Sequence, residues 1–366
     1  MSEGGFDVTV IGLGVMGSAA AYQLARRGLR VLGLEQFSPA HDRASSHGRT
    51  RVIRQAYFEH PDYVPLVLRA YELWRALEAE TKRPLLVKTG GLMIGPADGP
   101  VFRGSLDSAR RHSIPHRLLT REDLSRRYPF MTFAARDEAL WEEEAGVLFA
   151  EDCVLAFQDR ARELGAELRF GVKAPLPPSG KVVISAGAWL SELAPDVPTK
   201  VERQMMHWFD LPPGHAPTPL FIWDRGTPPF YSIPDVRGDG VKVAFHHGGE
   251  FTTPERIRRD VSDDEVRAMR ERLRETIPVL AERHRRSITC MYTNTPDEHF
   301  AIGFAAGRPG TVIASPCSGH GFKFASVIGE IVADLVIDGK TRHPIAPFGV
   351  ERFRGDSNRD PRCGVS

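Results

Sequence analysis

The chain has 366 residues, 42% of them hydrophobic and 26% charged, with Lys and Arg numbering 48 against 47 Asp and Glu. That length suits about two domains with ample material for a core, and the balanced charge removes any global pull toward nucleic acid or a membrane surface. No apolar run is long enough for a membrane-spanning helix, the apolar N-terminal stretch reads as part of a fold rather than a signal peptide, and the protein is expected to be cytoplasmic.

Asp7 to Ile11 reads as a short buried strand rich in β-branched residues, running straight into Gly12-Leu13-Gly14-Val15-Met16-Gly17. Helical spacing follows as far as Gly28, and a second strand ends at Glu35. This is a βαβ unit of the Rossmann kind. Gly12 permits the tight turn, Gly14 lets a pyrophosphate approach the backbone, and Gly17 allows close packing of helix on strand. Glu35 stands where a carboxylate accepts hydrogen bonds from a ribose diol. The motif by itself does not separate FAD from NAD.

A polar loop from His41 to Arg49 leads into Thr50-Arg51-Val52-Ile53-Arg54; this density of His and Arg suits either an anion-facing loop or a solvated basic one. Val64 to Glu80 is predicted as an amphipathic helix with Val67, Tyr71, Trp74 and Leu77 on one face. Leu85 to Gly95 reads as strands around a Gly-Gly turn, and Thr120 with Asp123 opens a short helix by a capping box. Asp152 to Gly165 reads as a helix and Glu167 to Val172 as a strand. A proline-rich link, Ala174 to Gly180, then leads to a buried strand at Lys181 that runs into Ala186-Gly187-Ala188.

Gln204 to Trp208, Pro229 to Ile233 and Val241 to His246 are strand-like pieces separated by Pro and Gly, the pattern of an antiparallel sheet. Alternation along the last of these puts Lys242, Ala244 and His246 on one face. Ser262 with Glu265 forms a second capping box before a stripe of Val266, Met269, Leu273 and Ile277, which reads as core. Thr311 to Ala314 is a strand, Pro316 to Lys323 a glycine-rich turn, and Ala325 to Ile337 a helix ended by Gly339. The fold class is therefore α/β: a Rossmann-like nucleotide-binding domain with a second, mainly antiparallel β-sheet domain. Cys153, Cys290, Cys317 and Cys363 show no metal-ligand spacing, so no metal is expected. A reducing compartment argues against disulfides.

Four stretches together resemble one family. They are GLGVMG near the N-terminus, SSHGRTRVIRQAYFEHPDYVPLVLRA, TCMYTNTPDEHF and SGHGFKFASVIGEI. In this order and spacing they are similar to the monomeric sarcosine oxidases and N-methyltryptophan oxidases, within the D-amino-acid-oxidase-like flavoproteins. The resemblance implies an FAD enzyme, with an FAD-binding domain at 1–84, 143–199 and 291–366 and a substrate domain at 85–142 and 200–290. It implies that Cys290 links covalently to the flavin, that Arg54 and Lys323 hold a substrate carboxylate, and that Lys242 lies near flavin N5 through water. His246, Tyr231 and His320 match substrate-site positions; His47, Thr50, Arg51 and Gly319 match cofactor contacts.

The implied reaction is oxidation of an N-methyl amino acid by oxygen, giving formaldehyde, the demethylated amino acid and hydrogen peroxide. The implied partners are a small carboxylate-bearing secondary amine and molecular oxygen, with the protein a monomer. The alternative is an oxidase or dehydrogenase of a cyclic or larger secondary amino acid such as pipecolate or proline. Two departures stand out. The proline-rich link is shorter than the family's β-excursion, and Cys317 replaces a usually bulky apolar residue before the Ser-Gly-His-Gly turn.

Overall fold

The computed structural model describes residues 5–173, 175 and 180–353. They divide into two units: the chain up to His41, Val154 to Val201 and Thr293 onward form the first, and Asp42–Cys153 with Glu202–Tyr292 the second. Most of the expected proline-rich link, and Cys363, lie outside the described residues.

In the first unit the strands run in the order Ala301–Phe304, Thr311–Ser315, Lys181–Ile184, Val8–Ile11, Val31–Glu35, Glu167–Phe170. All neighbours are parallel except the first pair. Central parallel strands are covered on both faces, which is why Val8–Ile11 and Lys181–Ile184 read as nearly continuous apolar runs. The helices Val15–Arg26 and Ala325–Asp338 pack together so closely that a Cβ on Gly329 would lie 2.6 Å from the Ala19 carbonyl oxygen. Gly339 ends the latter helix in the left-handed region, its N–H donating to the Leu335 carbonyl.

The second unit carries a large sheet in the order Phe251–Thr252, Lys200–Phe209, Val241–Phe245, Phe230–Ile233, Phe221–Trp223, Gly91–Pro96, Asp137–Glu142, Arg117–Leu119, with His284–Asn294 also on Lys200–Phe209. Its register-matched pairs are antiparallel except Phe221–Trp223 beside Gly91–Pro96. The helix Asp263–Thr276 has the predicted capping box, Ser262 and Glu265 each bonding the other's backbone N–H. Met269, Leu273 and Ile277 enter an aromatic core with Trp223, Phe230 and Val243, while Val266 stays half-buried.

The division differs from the expected one. Residues 42–84 and 143–153 group with the second unit. Strand pairing is the reason: Thr50–Ile53 and Leu86–Lys88 both pair antiparallel with Gly146–Phe149, forming a small separate sheet. Among the described residues no helix is long and apolar enough to cross a membrane.

Candidate active site

In the first unit the loop after Val8–Ile11 is built from close backbone approaches. Gly12 has φ 88°, and a Cβ there would lie 2.6 Å from the Ser185 carbonyl oxygen. A Cβ on Gly17 would overlap the Gly12 carbonyl, so only glycine lets the first helical turn sit against the loop. Gly14 is the N-cap of Val15–Arg26, and no side chain caps that helix start, which leaves the positive end of the helix dipole to an outside anion.

Glu35 is buried; one carboxylate oxygen accepts the Leu13 N–H at 2.8 Å, the other the Phe37 N–H at 3.1 Å, and His41 Nε2 lies at 3.4 Å. Burial pushes its pKa up, but the hydrogen bonds from His41 and Leu13 outweigh this and hold it below the ordinary value. Glu35 therefore braces the glycine loop from the second strand. Gln158, which no motif signals, braces it from the helix Ala150–Glu163, donating to the Leu13 carbonyl at 3.0 Å.

Farther along this unit, Ser318 (φ 58°) and Gly319 (φ 79°) form a left-handed turn fastened by the Ser318 N–H to the Thr293 carbonyl at 2.8 Å. The His320 ring stacks on Phe300 at 4.9 Å, with Nε2 3.1 Å from the Glu298 carbonyl. Lys323 is buried in the short turn Phe322–Phe324, its ammonium donating to the His320 carbonyl at 2.6 Å. Cys317 is partly exposed, with Sγ 3.8 Å from Ser318 Oγ.

The second unit gathers a denser set. Gly48 (φ 92°) and Arg49 (φ 71°) turn the chain into the strand Thr50–Ile53, and the Glu151 carboxylate accepts both of their N–H groups, at 2.8 and 3.0 Å. The carbonyls of Gly48 and Thr50 accept from Lys242, the former at 3.1 Å. Lys242 is 1% exposed, and burial first, then the nearby Arg51 charge, pushes its pKa far down. Its strand is buried on both faces: Val241 and Val243 enter the aromatic core, while Ala244 packs with Met206, Trp208 and Cys290.

Arg51 donates to the Thr50 carbonyl at 2.8 Å and the Ser45 carbonyl at 2.6 Å, and its Nη2 lies 3.8 Å from Cys290 Sγ. Burial opposes ionisation of the Cys290 thiol, but the charge and hydrogen bond of His47 and the charge of Arg51 bring its pKa down to about 6. His47 Nε2 is buried with no hydrogen-bond partner among the described residues. Tyr231 packs on the Cys290 cluster, its phenol pushed up to about 12 by burial. His246 lies just beyond its strand, Nδ1 3.3 Å from the Tyr292 hydroxyl, and Tyr292 senses the charges of Cys290 and Arg51. The fold thus brings His47, Thr50, Arg51, Tyr231, Lys242, His246 and Cys290 together.

Arg54 is 1% exposed and lies over the rings of Tyr57 (4.2 Å) and Phe58 (4.4 Å). Its Nη2 meets both Glu59 oxygens at 2.6 and 2.8 Å, and its Nη1 donates to the Ala56 carbonyl at 3.0 Å. Arg54 Nε has no hydrogen-bond partner among the described residues. Phe58 also meets the His246 ring edge-on at 6.4 Å. Sequence reasoning missed Glu59, Glu151 and Tyr292. Glu59 and Tyr292 do fall inside the recognised stretches; nothing local marks Glu151.

Residues 7–335 match the model of the family described as FAD dependent oxidoreductase, DAO. The chain is 44% identical to a monomeric sarcosine oxidase of Streptomyces avermitilis, the alignment covering 95% of this chain and 98% of that protein. It is 32% identical to an N-methyl-L-tryptophan oxidase of Salmonella arizonae, covering 95% and 99%. Among solved structures it is similar to the open form of NikD, an unusual amino acid oxidase essential for nikkomycin biosynthesis, with TM-score 0.83, 23% identity and coverage of 94% and 97%. An L-proline dehydrogenase from P. horikoshii gives TM-score 0.82 at 23% identity, covering 95% and 98%. At that identity the likeness speaks to the fold.

Proposed function

Since the chain belongs to the FAD dependent oxidoreductase family, among relatives of the sarcosine and N-methyl-L-tryptophan oxidases, we propose that it oxidises an N-methyl amino acid with oxygen. The products are the demethylated amino acid, formaldehyde and hydrogen peroxide, water supplying the aldehyde oxygen. The residues present fit an FAD. Positions 12 and 17 have no room for a Cβ, the helix start at Gly14 has no side-chain cap, and His47 Nε2 is buried without a partner among the described residues. Gly12, Gly14, Gly17 and Glu35 would hold the nucleotide, and His47, Thr50, Arg51 and Gly319 would meet the rest of the cofactor.

Bound FAD supplies the two-electron chemistry, taking the equivalent of a hydride from the N-methyl carbon and passing electrons to oxygen. The finer reading is that Cys290 carries the cofactor covalently. Its thiol, brought to about 6, is largely thiolate at neutral pH, the form able to bond carbon. Arg54 and Lys323 are read as the grip on the substrate carboxylate, a planar guanidinium matching it through two donors and an ammonium adding a point charge. Tyr231, His246 and His320 would shape the amine side. Cationic neighbours there favour loss of the ammonium proton, and only the neutral amine can be oxidised. Lys242 would stabilise the negative charge that builds on oxygen.

The observation that carries this reading is the buried Arg54 guanidinium, paired with a carboxylate and keeping an unpartnered Nε among the described residues. It is tested by incubating the FAD-loaded protein with sarcosine and with N-methyl-L-tryptophan. Formaldehyde and hydrogen peroxide in equal amounts from one of them is expected. Activity confined to L-proline or pipecolate would overturn it in favour of a cyclic amine. The name of the Streptomyces relative supports a monomer, which light scattering would contradict by returning twice the chain mass.

A further inference from the structure

Arg54 is held partly by its own neighbours, and those neighbours are held by a carboxylate far away in sequence. Glu142 ends the strand Asp137–Glu142, opposite Gly91 of the adjacent strand, and is 0% exposed. One of its oxygens accepts the Gln55 N–H at 2.7 Å and the other accepts the Ala56 N–H at 2.8 Å. Ala56 is in turn held through its carbonyl by Arg54 Nη1 at 3.0 Å.

We infer that Glu142 is the positioning residue for Arg54: its carboxylate fixes the Gln55–Ala56 backbone, and the Ala56 carbonyl fixes the guanidinium. This rests on reading Arg54 as the carboxylate grip. Burying a carboxylate is costly, so a fully covered one with both oxygens committed to adjacent amides marks a backbone segment that must not drift. The segment in question follows directly on Arg54.

The arrangement makes the grip sensitive to pH. Burial raises the pKa of Glu142 to about 7, opposed by the Ala56 and Gln55 N–H groups and by Arg54, and assisted by Glu144. Tyr71, on the helix Val64–Thr81, also feels its charge. Protonation turns one oxygen into a donor facing an N–H, so one of the two braces is lost. Arg54 is therefore best placed above about pH 7 and looser below it.

A charge that merely stood nearby would act in the opposite sense, since an ionised Glu142 repels an incoming carboxylate. The sign separates the two roles. The probe is acetate, an anion throughout the range, titrated into the FAD-loaded protein and followed by the visible flavin spectrum. Comparison with E142Q cancels any pH dependence common to both proteins. We expect E142Q to bind acetate on the order of tenfold more weakly than the wild type at about pH 8.5, the difference closing toward about pH 6. Equal or tighter binding by E142Q at the alkaline end overturns the inference.

Should E142Q not retain its flavin, the wild-type infrared difference spectrum on adding acetate near pH 7 gives the same sign. Loss of a protonated buried-carboxyl band is expected, because acetate favours the ionised brace; a gain overturns it. Acetate binding with the wrong sign removes Glu142 alone. If wild type binds no acetate at any pH yet oxidises substrate, the carboxylate site at Arg54 falls and this inference with it.

Discussion

At the residue scale, the proposed site holds side chains, Cys290 and Lys242 among them, whose neighbours push them away from their ordinary ionisation. Cys290 has its folded-state pKa depressed to about 6. Its thiolate therefore contributes stability to the flavin-free protein at alkaline pH, above the ordinary thiol value, and loses it as pH falls toward about 6. In flavin-free protein, alkylation of Cys290 should show a midpoint near 6 that moves up in Arg51→Gln; a midpoint unchanged by that variant would remove Arg51 from the account. In the loaded enzyme, Cys290→Ala should release the flavin into the supernatant on acid precipitation, and flavin left in the pellet would contradict covalent attachment. Arg54→Ala should raise KM for carboxylate substrates roughly 10- to 100-fold, corresponding to loss of about 1.5–3 kcal/mol from a charged hydrogen-bonded contact. The Glu59 contact adds a second expectation: a substrate carboxylate gripped by Arg54 would have to compete with Glu59 for the same Nη2, so Glu59→Gln should lower KM. Arg54, Lys242 and Cys290 were legible only through the family resemblance. Glu59, Glu142 and Glu151 were not read, because an isolated carboxylate carries no spacing signal until the fold brings backbone N–H groups to it.

At the element scale, what could be read was what local physics decides. The strand Val8–Ile11, the glycine turn, the capping boxes at Thr120 and Ser262 and the Gly339 stop all stand where spacing put them. Ser262→Ala should cost about 1 kcal/mol, seen as a lower denaturation midpoint with an unchanged flavin spectrum; no shift would mean the box contributes nothing. Gly17→Ala should abolish flavin retention, because its methyl would enter the Gly12 carbonyl; a normal ratio of visible to ultraviolet absorbance in the purified variant would contradict this. The helix Pro100–Arg111 and the strands Asp137–Glu142 and Gly146–Phe149 were not read from the sequence. Strands such as these are stabilised by distant partners, and the parallel pairing of Phe221–Trp223 with Gly91–Pro96 has no local signature at all.

At the scale of the whole molecule, the chain passes back and forth between two units, and their division differs from the expected domains for a physical reason. Thr50–Ile53, Leu86–Lys88 and Gly146–Phe149 make a small sheet that draws residues 42–84 and 143–153 into the second unit. Local patterning indicated an α/β nucleotide fold with a second antiparallel sheet; the order of the excursions depends on pairings between residues as distant in sequence as Val8 and Lys181 or Leu92 and Phe221, which no window of sequence contains. The relatives, 32–44% identical along 95% of the chain, supply what geometry alone does not, the ground for the proposed class of substrate. The most direct measurement is anaerobic: the visible flavin absorption of the purified protein, followed while sarcosine and N-methyl-L-tryptophan are added in separate cuvettes. Bleaching by one of them, reversed on admitting air with release of hydrogen peroxide, is the result expected of an oxidase of N-methyl amino acids. A yellow protein that neither compound bleaches would contradict the assignment while leaving the flavoprotein fold in place.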